Sequence, residues 1–147
     1  MKVQQLSVFL ENQPNQIVKP CRLLAGEGVN IWTMSVADTK QFGILRMIVS
    51  DWQRARQLLE GAGYVVNVTE VVAIEVPDEP GGLARLLDVL DDSPVNVEYM
   101  YSFALGRRDA AVMIFRFDDP DAALELLQKA GINVVDGVEL YTGGVKA

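Results

Sequence analysis

One layout is written into the chain twice. Leu6-Ser7-Val8-Phe9-Leu10-Glu11-Asn12-Gln13-Pro14 and Val72-Ala73-Ile74-Glu75-Val76-Pro77-Asp78-Glu79-Pro80 are each an alternating apolar stretch running into an Asn/Asp-x-Pro turn, and Pro14 and Pro80 stand 66 residues apart. Val29-Asn30-Ile31 returns at the same offset as Val95-Asn96-Val97. Leu58-Leu59-Glu60-Gly61-Ala62-Gly63 returns as Leu126-Leu127-Gln128-Lys129-Ala130-Gly131, two residues late, which places a small insertion around Gly106-Arg107-Arg108. A repeat of this length requires each half to form the same supersecondary unit and to bury its apolar face in the same way. The 147 residues, 50% of them hydrophobic, divide into two modules, 1–68 and 69–147. Units this small leave much of their surface exposed, so packing of the modules on each other or on a second copy is expected.

Leu6, Val8 and Leu10 alternate with Gln5, Ser7 and Phe9, the period of a strand with one buried face, and Val72, Ile74 and Val76 repeat them. A helical pattern follows in each half: Ile17, Cys21 and Leu24, then Leu83, Leu86, Leu87 and Leu90, spaced to line one helix face. Gly26 and Gly28 close the first of these helices, and Asp92-Ser93-Pro94 closes the second. Strands at about 29–36 and 43–49, and again at about 95–103 and 110–117, read as hairpins. Another helix in each half carries Ala55, Leu58, Leu59 and Ala62, or Ala123, Leu126, Leu127 and Ala130. Both stop at a glycine suited to a left-handed C-terminal position, Gly63 and Gly131. Fourth strands are expected over 64–68 and 132–140. The order βαββαβ, twice, with helices able to lie on one face of antiparallel sheets, predicts an α+β fold of two tandem ferredoxin-like modules. No Gly/Ser-rich or Pro-rich linker separates them, since Asn67-Val68-Thr69-Glu70 passes from the last strand of one into the first strand of the other.

The net charge of −7 argues against nucleic acid and acidic membranes as partners, because affinity for phosphate rests on Lys and Arg. No stretch approaches the ~18 consecutive apolar residues of a spanning helix. Met1-Lys2-Val3-Gln4-Gln5 enters a strand pattern at once, so a cytoplasmic location is expected. Cys21 is the single cysteine and there is no histidine, which removes an internal disulfide, a zinc cluster and a Ser/His or Cys/His nucleophile pair. Cys21 is read as a small buried apolar group. Glu75, Glu79, Asp91, Asp92, Asp118, Asp119 and Asp121 lack calcium-loop spacing, and the phosphate loop and dinucleotide fingerprint are absent. No metal and no cofactor are expected. Trp32, Met34 and Phe42, with Tyr99, Tyr101 and Phe103, are read as surface that packs modules together, and Arg107 and Arg108 as a solvated loop tip.

The turns after the first strands, Asn12-Gln13-Pro14-Asn15-Gln16-Ile17 and Asp78-Glu79-Pro80-Gly81-Gly82-Leu83, are the candidate binding elements. A Pro followed by Gly, or by an Asn tolerant of positive φ, bends the backbone so that the next helix begins with free N–H groups pointing into the bend. Such a bend attracts a small carboxylate. The plainer reading is that Asn12 and Asp78 only cap the turn. Asn30 and Asn96, at the starts of the second strands beside Ile31 and Val97, form the second element. In a ferredoxin-like unit the turn and this asparagine lie at opposite ends of the first helix, so they meet only across an interface.

Both halves resemble ACT domains, the small regulatory modules of amino-acid metabolism. Pro77-Asp78-Glu79-Pro80-Gly81-Gly82-Leu83 is close to the family's D/N-x-Pro-Gly-x-Leu turn, and Gly28-Val29-Asn30-Ile31 and Val95-Asn96-Val97 are close to its G-V-N-I strand start. The first half departs at Asn15, where the family usually has glycine, and at Pro20, which removes a backbone donor inside the first helix. The resemblance covers nearly the whole chain, is specifically to stand-alone tandem ACT proteins, and leaves no catalytic domain over. It implies a non-catalytic regulatory protein that binds a small free amino acid at an interface between ACT modules. By position, Asn12 and Asp78 with the backbone of their turns match the groups that hold the polar end of the ligand. Asn30-Ile31 and Asn96-Val97 match those that hold the rest from a neighbouring module. Binding would shift assembly, with a homodimer the expected state, or act on a partner enzyme of amino-acid metabolism. The alternative is an ACT-type interaction module with no ligand pocket, which Asn15 and Pro20 favour for the first half. A small enzyme on the same scaffold ranks last, because no acid and base pair of carboxylates is marked out.

Overall fold

The computed structural model describes residues 1–103, 109–137 and 140, so the Gly106-Arg107-Arg108 insertion and its basic tip lie outside the described residues. The strands are β1 (Lys2–Glu11), β2 (Ile31–Asp38), β3 (Phe42–Val49), β4 (Val66–Pro77), β5 (Val97–Ser102), β6 (Ala110–Phe117) and β7 (Val134–Val135). The helices are α1 (Val18–Gly26), α2 (Trp52–Gly61), α3 (Gly82–Asp88) and α4 (Pro120–Lys129). The chain divides into two compact units, Gln4–Thr69 and Met1–Val3 with Glu70–Ala147. β4 is unbroken through 67–70, so the last strand of one repeat becomes the first strand of the next without a linker.

In the unit Gln4–Thr69, β3 pairs antiparallel with β2 on one side and β1 on the other, and β1 has the opening of β4 as its second neighbour. Leu6, Val8 and Leu10 of β1 and Leu45, Met47 and Val49 of β3 point to one face. There they meet Leu24 of α1 and Ala55 and Leu59 of α2 in a single apolar cluster. The other unit repeats the plan: β6 pairs with β5 and β4, and Val72, Ile74, Val76, Phe115 and Phe117 meet Leu86 of α3 and Ala123 and Leu127 of α4. Helices therefore cover one face of an antiparallel sheet in each repeat, the α+β arrangement expected. The repetition extends to irregularities. Pairing slips between Ile31 and Thr33 and again between Val97 and Tyr99, a bulge at the same place in both edge strands. Asp51 and Asp119 each cap a helix by accepting a backbone N–H at 3.0 Å, from Arg54 and Ala122. Gly63 and Gly131 end those helices at φ 92° and 70°, the left-handed conformation expected of them.

Three sequence expectations require correction. Of the strand expected over 132–140, the described residues form only Val134–Val135, paired with Ile74 and Ala73, because Asp136-Gly137 are poor strand formers. Beyond them the Leu140 N–H donates to the Asp136 carbonyl at 3.1 Å, a helical spacing. Ile17 does not join the buried helix stripe: it precedes α1 and is 43% exposed, and the buried residues of α1 are Pro20 and Leu24. Cys21 is half-buried rather than buried, and its partial removal from water pushes the thiol pKa up. Of the large side chains read as packing surface, Phe103 is buried, whereas Met34 and Phe42 remain 37% and 58% exposed.

Candidate functional site

Both turns fold the same way, down to individual hydrogen bonds. Gln13-Pro14-Asn15-Gln16 closes with the Gln16 N–H donating to the Gln13 carbonyl at 3.4 Å, and Glu79-Pro80-Gly81-Gly82 closes with Gly82 donating to Glu79 at 3.0 Å. In each the residue after proline is left-handed, Asn15 at φ 68° and Gly81 at φ 81°. This is the Pro-then-positive-φ pattern of a type II turn. The residue preceding proline also repeats, with Gln13 donating to the Glu11 carbonyl at 2.9 Å and Glu79 to the Pro77 carbonyl at 3.0 Å. Asn12 and Asp78 then anchor each turn to the neighbouring hairpin. The Asn12 N–H donates to Gln41 and the Asp78 N–H to Asp109, both at 3.1 Å, and the Asn12 amide adds a bond to the Thr39 carbonyl at 3.3 Å.

The turns differ where they enter the helices. Gly82 begins α3, and a side chain there would place Cβ 2.2 Å from the Pro77 carbonyl oxygen, so glycine is required. Its counterpart by the repeat is Gln16, and α1 starts two residues later, at Val18. A helix begun at Gln16 would press the Pro20 ring on the Gln16 carbonyl. Starting at Val18 puts Pro20 in the first turn, where an N–H has no helical acceptor. Ile17 occupies the cap position with no side-chain bond, so the departure at Pro20 shortens the helix start as its chemistry requires. In the second turn the Arg85 guanidinium reaches back to Glu79 in an exposed ion pair. Asn12, Gln13, Pro14, Asn15, Asp78, Glu79, Pro80 and Gly81 are all exposed, and Leu83 turns partly into the core.

Asn30 and Asn96 are exposed and held by a device not anticipated from the sequence. The Asn30 N–H donates to the Ser50 hydroxyl at 3.0 Å and its carbonyl accepts from the Ser50 N–H at 2.9 Å. The Asn96 N–H donates to the Asp118 carboxylate at 2.8 Å and its carbonyl accepts from the Asp118 N–H at 3.1 Å. Ser50 and Asp118 follow the third strands 68 residues apart, the same late offset as the helices that come next, so the repeat carried the signal. Ile31 and Val97, beside the asparagines, pack partly against their cores.

Strand register measures the distance between turn and asparagine. Glu11, beside the first turn, pairs with Phe42, while Ile31, beside Asn30, pairs with Val49, seven residues along β3 and about 23 Å of strand. Pro77 pairs with Ala110 and Val97 with Phe117, the same seven-residue separation on β6. Neither unit brings its own turn and asparagine together. Among the described residues no cluster of three or more Asp, Glu, Cys or His side chains could hold a metal ion.

A family model described as an ACT domain pair matches residues 1–142. No curated protein matches the chain. Among solved structures, the chain is similar to protein BT0572 from Bacteroides thetaiotaomicron, at 37% identity over 96% of each chain and a TM-score of 0.89. It shares the fold of the ligand-free regulatory subunit of aspartate kinase from Thermus thermophilus, at 17% identity over 86% of this chain and 91% of that one, with a TM-score of 0.62. The corresponding subunit from Thermus flavus gives 15% identity over the same shares and a TM-score of 0.61. The repeated turns and asparagines, the two βαββαβ units and these matches agree, and the chain belongs to the ACT domain family as a pair of ACT domains.

Proposed function

We propose that the protein is a non-catalytic regulator that binds a small free amino acid where the turn of one ACT module meets the second-strand asparagine of another. The modules are taken as residues 1–68 and 69–147. The observation that carries this reading is the turn itself, built twice with the same bonds and the same left-handed residue after proline, and exposed from Asn12 to Asn15 and from Asp78 to Gly81. An exposed turn leading into a helix start presents backbone donors to a carboxylate, and an exposed asparagine offers both a donor and an acceptor to an ammonium and its neighbours. The second turn, Asp78 to Leu83 with Asn96 of a neighbouring module, is the stronger site. The first turn, Asn12 to Ile17 with Asn30, is the weaker, because its helix starts late. The proposed assembly is a cytoplasmic homodimer that acts on an enzyme of amino-acid metabolism. The fold shared with aspartate kinase regulatory subunits supports the regulatory part of this reading.

Calorimetric titration of the full chain with the twenty common amino acids tests it. One or a few should give saturable heat and raise the melting temperature, and Asp78→Ala should weaken that binding at least tenfold. Heat from none of them ends the sensor reading. The second reading, an interaction module without a ligand, rests on the uncapped start of α1 at Ile17. It predicts a stoichiometric enzyme partner whose binding ignores added amino acids.

A further inference from the structure

The unit Gln4–Thr69 carries a cleft on the sheet face away from its helices. Phe9 of β1, Ile44 of β3 and Ala37 of β2 lie in one cross-strand row, since Phe9 pairs with Ile44 and Ile44 with Ala37. With Phe42, Asp38 and Thr39 they line an opening of about 350 Å³, within the size range of small-molecule sites. Phe9 and Phe42 are 39% and 58% exposed. The repeat explains why the space exists. The matching row of the other unit is Glu75, Val112 and Phe103, with Glu75 paired to Val112 and the Phe103 N–H bonded to the Val112 carbonyl at 2.7 Å. There Phe103 is buried, and Glu75 accepts from the Asn133 amide at 2.7 Å. In one repeat a phenyl ring lies buried in the row, and the opening there, of about 470 Å³, is lined by Glu75, Pro77, Ala110 and Asn133 instead. The other has Ala37 in that place and leaves two phenylalanines facing water, which the shared fold does not require.

We propose that this cleft receives the apolar side chain of a small amine-bearing ligand, a free amino acid with a branched aliphatic or aromatic side chain. The inference rests on the amino-acid-binding reading and adds the ligand class. The ligand covers the exposed rings, and the Asp38 carboxylate on the rim is the complementary charge for its ammonium group. The rim is preformed. The Thr39 hydroxyl donates to the Phe42 carbonyl at 3.2 Å and accepts the Phe42 N–H at 3.3 Å, the Thr39 N–H donates to Phe42 at 2.8 Å, and the Asn12 amide ties the same hairpin tip to the first turn. Little ordering is left for the ligand to impose.

Ala37→Phe places in this cleft the residue that the other repeat already carries, and Asp38→Asn removes the rim charge. Both positions are exposed, and melting temperature with circular dichroism reports whether each variant folds. Leucine, phenylalanine, glutamate and lysine are titrated into the full chain by calorimetry, with sedimentation run in parallel. Leucine or phenylalanine should bind at least tenfold more tightly than glutamate, and each variant, titrated in an Asp78→Ala background so that the second turn does not mask the change, should weaken that binding tenfold or more. Glutamate or lysine binding best, or apolar binding unchanged by Ala37→Phe, overturns the cleft while leaving the general reading intact. Heat from none of the twenty amino acids overturns both. A shift from dimer to monomer in Ala37→Phe, with ligand affinity unchanged, makes the face a contact between copies and overturns the inference as well.

Discussion

Gly82 and Asn15 show how single residues decide the two turns. A Cβ at position 82 would lie 2.2 Å from the Pro77 carbonyl oxygen, so Gly82→Ala must move the strand end or the helix start. Crowding of this kind costs about 1–3 kcal/mol, which urea denaturation would read as a lower midpoint with an unchanged slope. Asn15 sits at φ 68°, a region that costs a residue with a side chain about 1 kcal/mol or more. Asn15→Gly should therefore match or exceed the wild-type stability, whereas Asn15→Ala should lose about 1 kcal/mol in the same measurement. The positive φ was legible from sequence, because Pro-Asn and Pro-Gly stand at the same repeat offset. The steric demand at Gly82 was not, because it depends on how closely the helix start approaches Pro77. Cys21 was legible only in part: its apolar spacing suggested burial, yet Pro20 and Leu24 fill the core. Its thiol is still raised above the ordinary value by lost solvation, so it should alkylate more slowly at pH 8 than a free cysteine in a peptide.

Elements inherited most of what could be read in the sequence, since apolar periodicity fixes which face of a strand or helix is buried. β3 and β6 fall where the alternation places them, and α2 and α4 end at the glycines expected of them. The failures lie where two tendencies compete. Ile17 has the spacing of a core residue, but the Pro20 ring prevents the helix from starting early enough to include it. Residues after Val135 have apolar content, but at Asp136-Gly137 the strand stops. Neither Asp51 nor Asp119 stood out as a cap in the sequence, although both precede their helices at equivalent places. Each satisfies an N–H at the helix start. Asp51→Ala and Asp119→Ala should each lower stability by about 1 kcal/mol, measured by thermal melting, with the two effects adding in the double variant because the caps share no partner.

At the scale of the whole molecule, the chain does not partition at a single cut. Met1–Val3 belong to the unit formed by Glu70–Ala147, although β1 continues from them into the unit Gln4–Thr69. The repeat offset alone could not show this, because it marks where the layout restarts and not which unit the first residues of a strand serve. Lys2 makes the connection explicit: its ammonium lies 2.9 Å from Glu70 and 3.0 Å from Asp121, linking the N-terminus to β4 and to the first turn of α4. Hydrogen bonds donated by its ammonium to these two carboxylates hold the Lys2 pKa above its ordinary 10.5. A raised lysine pKa means that the folded state favours the charged form, so its contribution is complete below pH 10.5 and is lost as pH climbs through the higher folded value. The pairs are partly exposed, so the effect is small and salt should weaken it. Lys2→Met should accordingly speed hydrogen exchange in β4 and α4 while leaving α1 and α2 unchanged, and the melting-temperature gap between wild type and variant should hold steady from neutral pH and close above pH 10.5. Faster exchange in α1 and α2 would show that the N-terminal residues serve the other unit instead, and a gap that widens with rising pH would show that the folded state favours neutral Lys2.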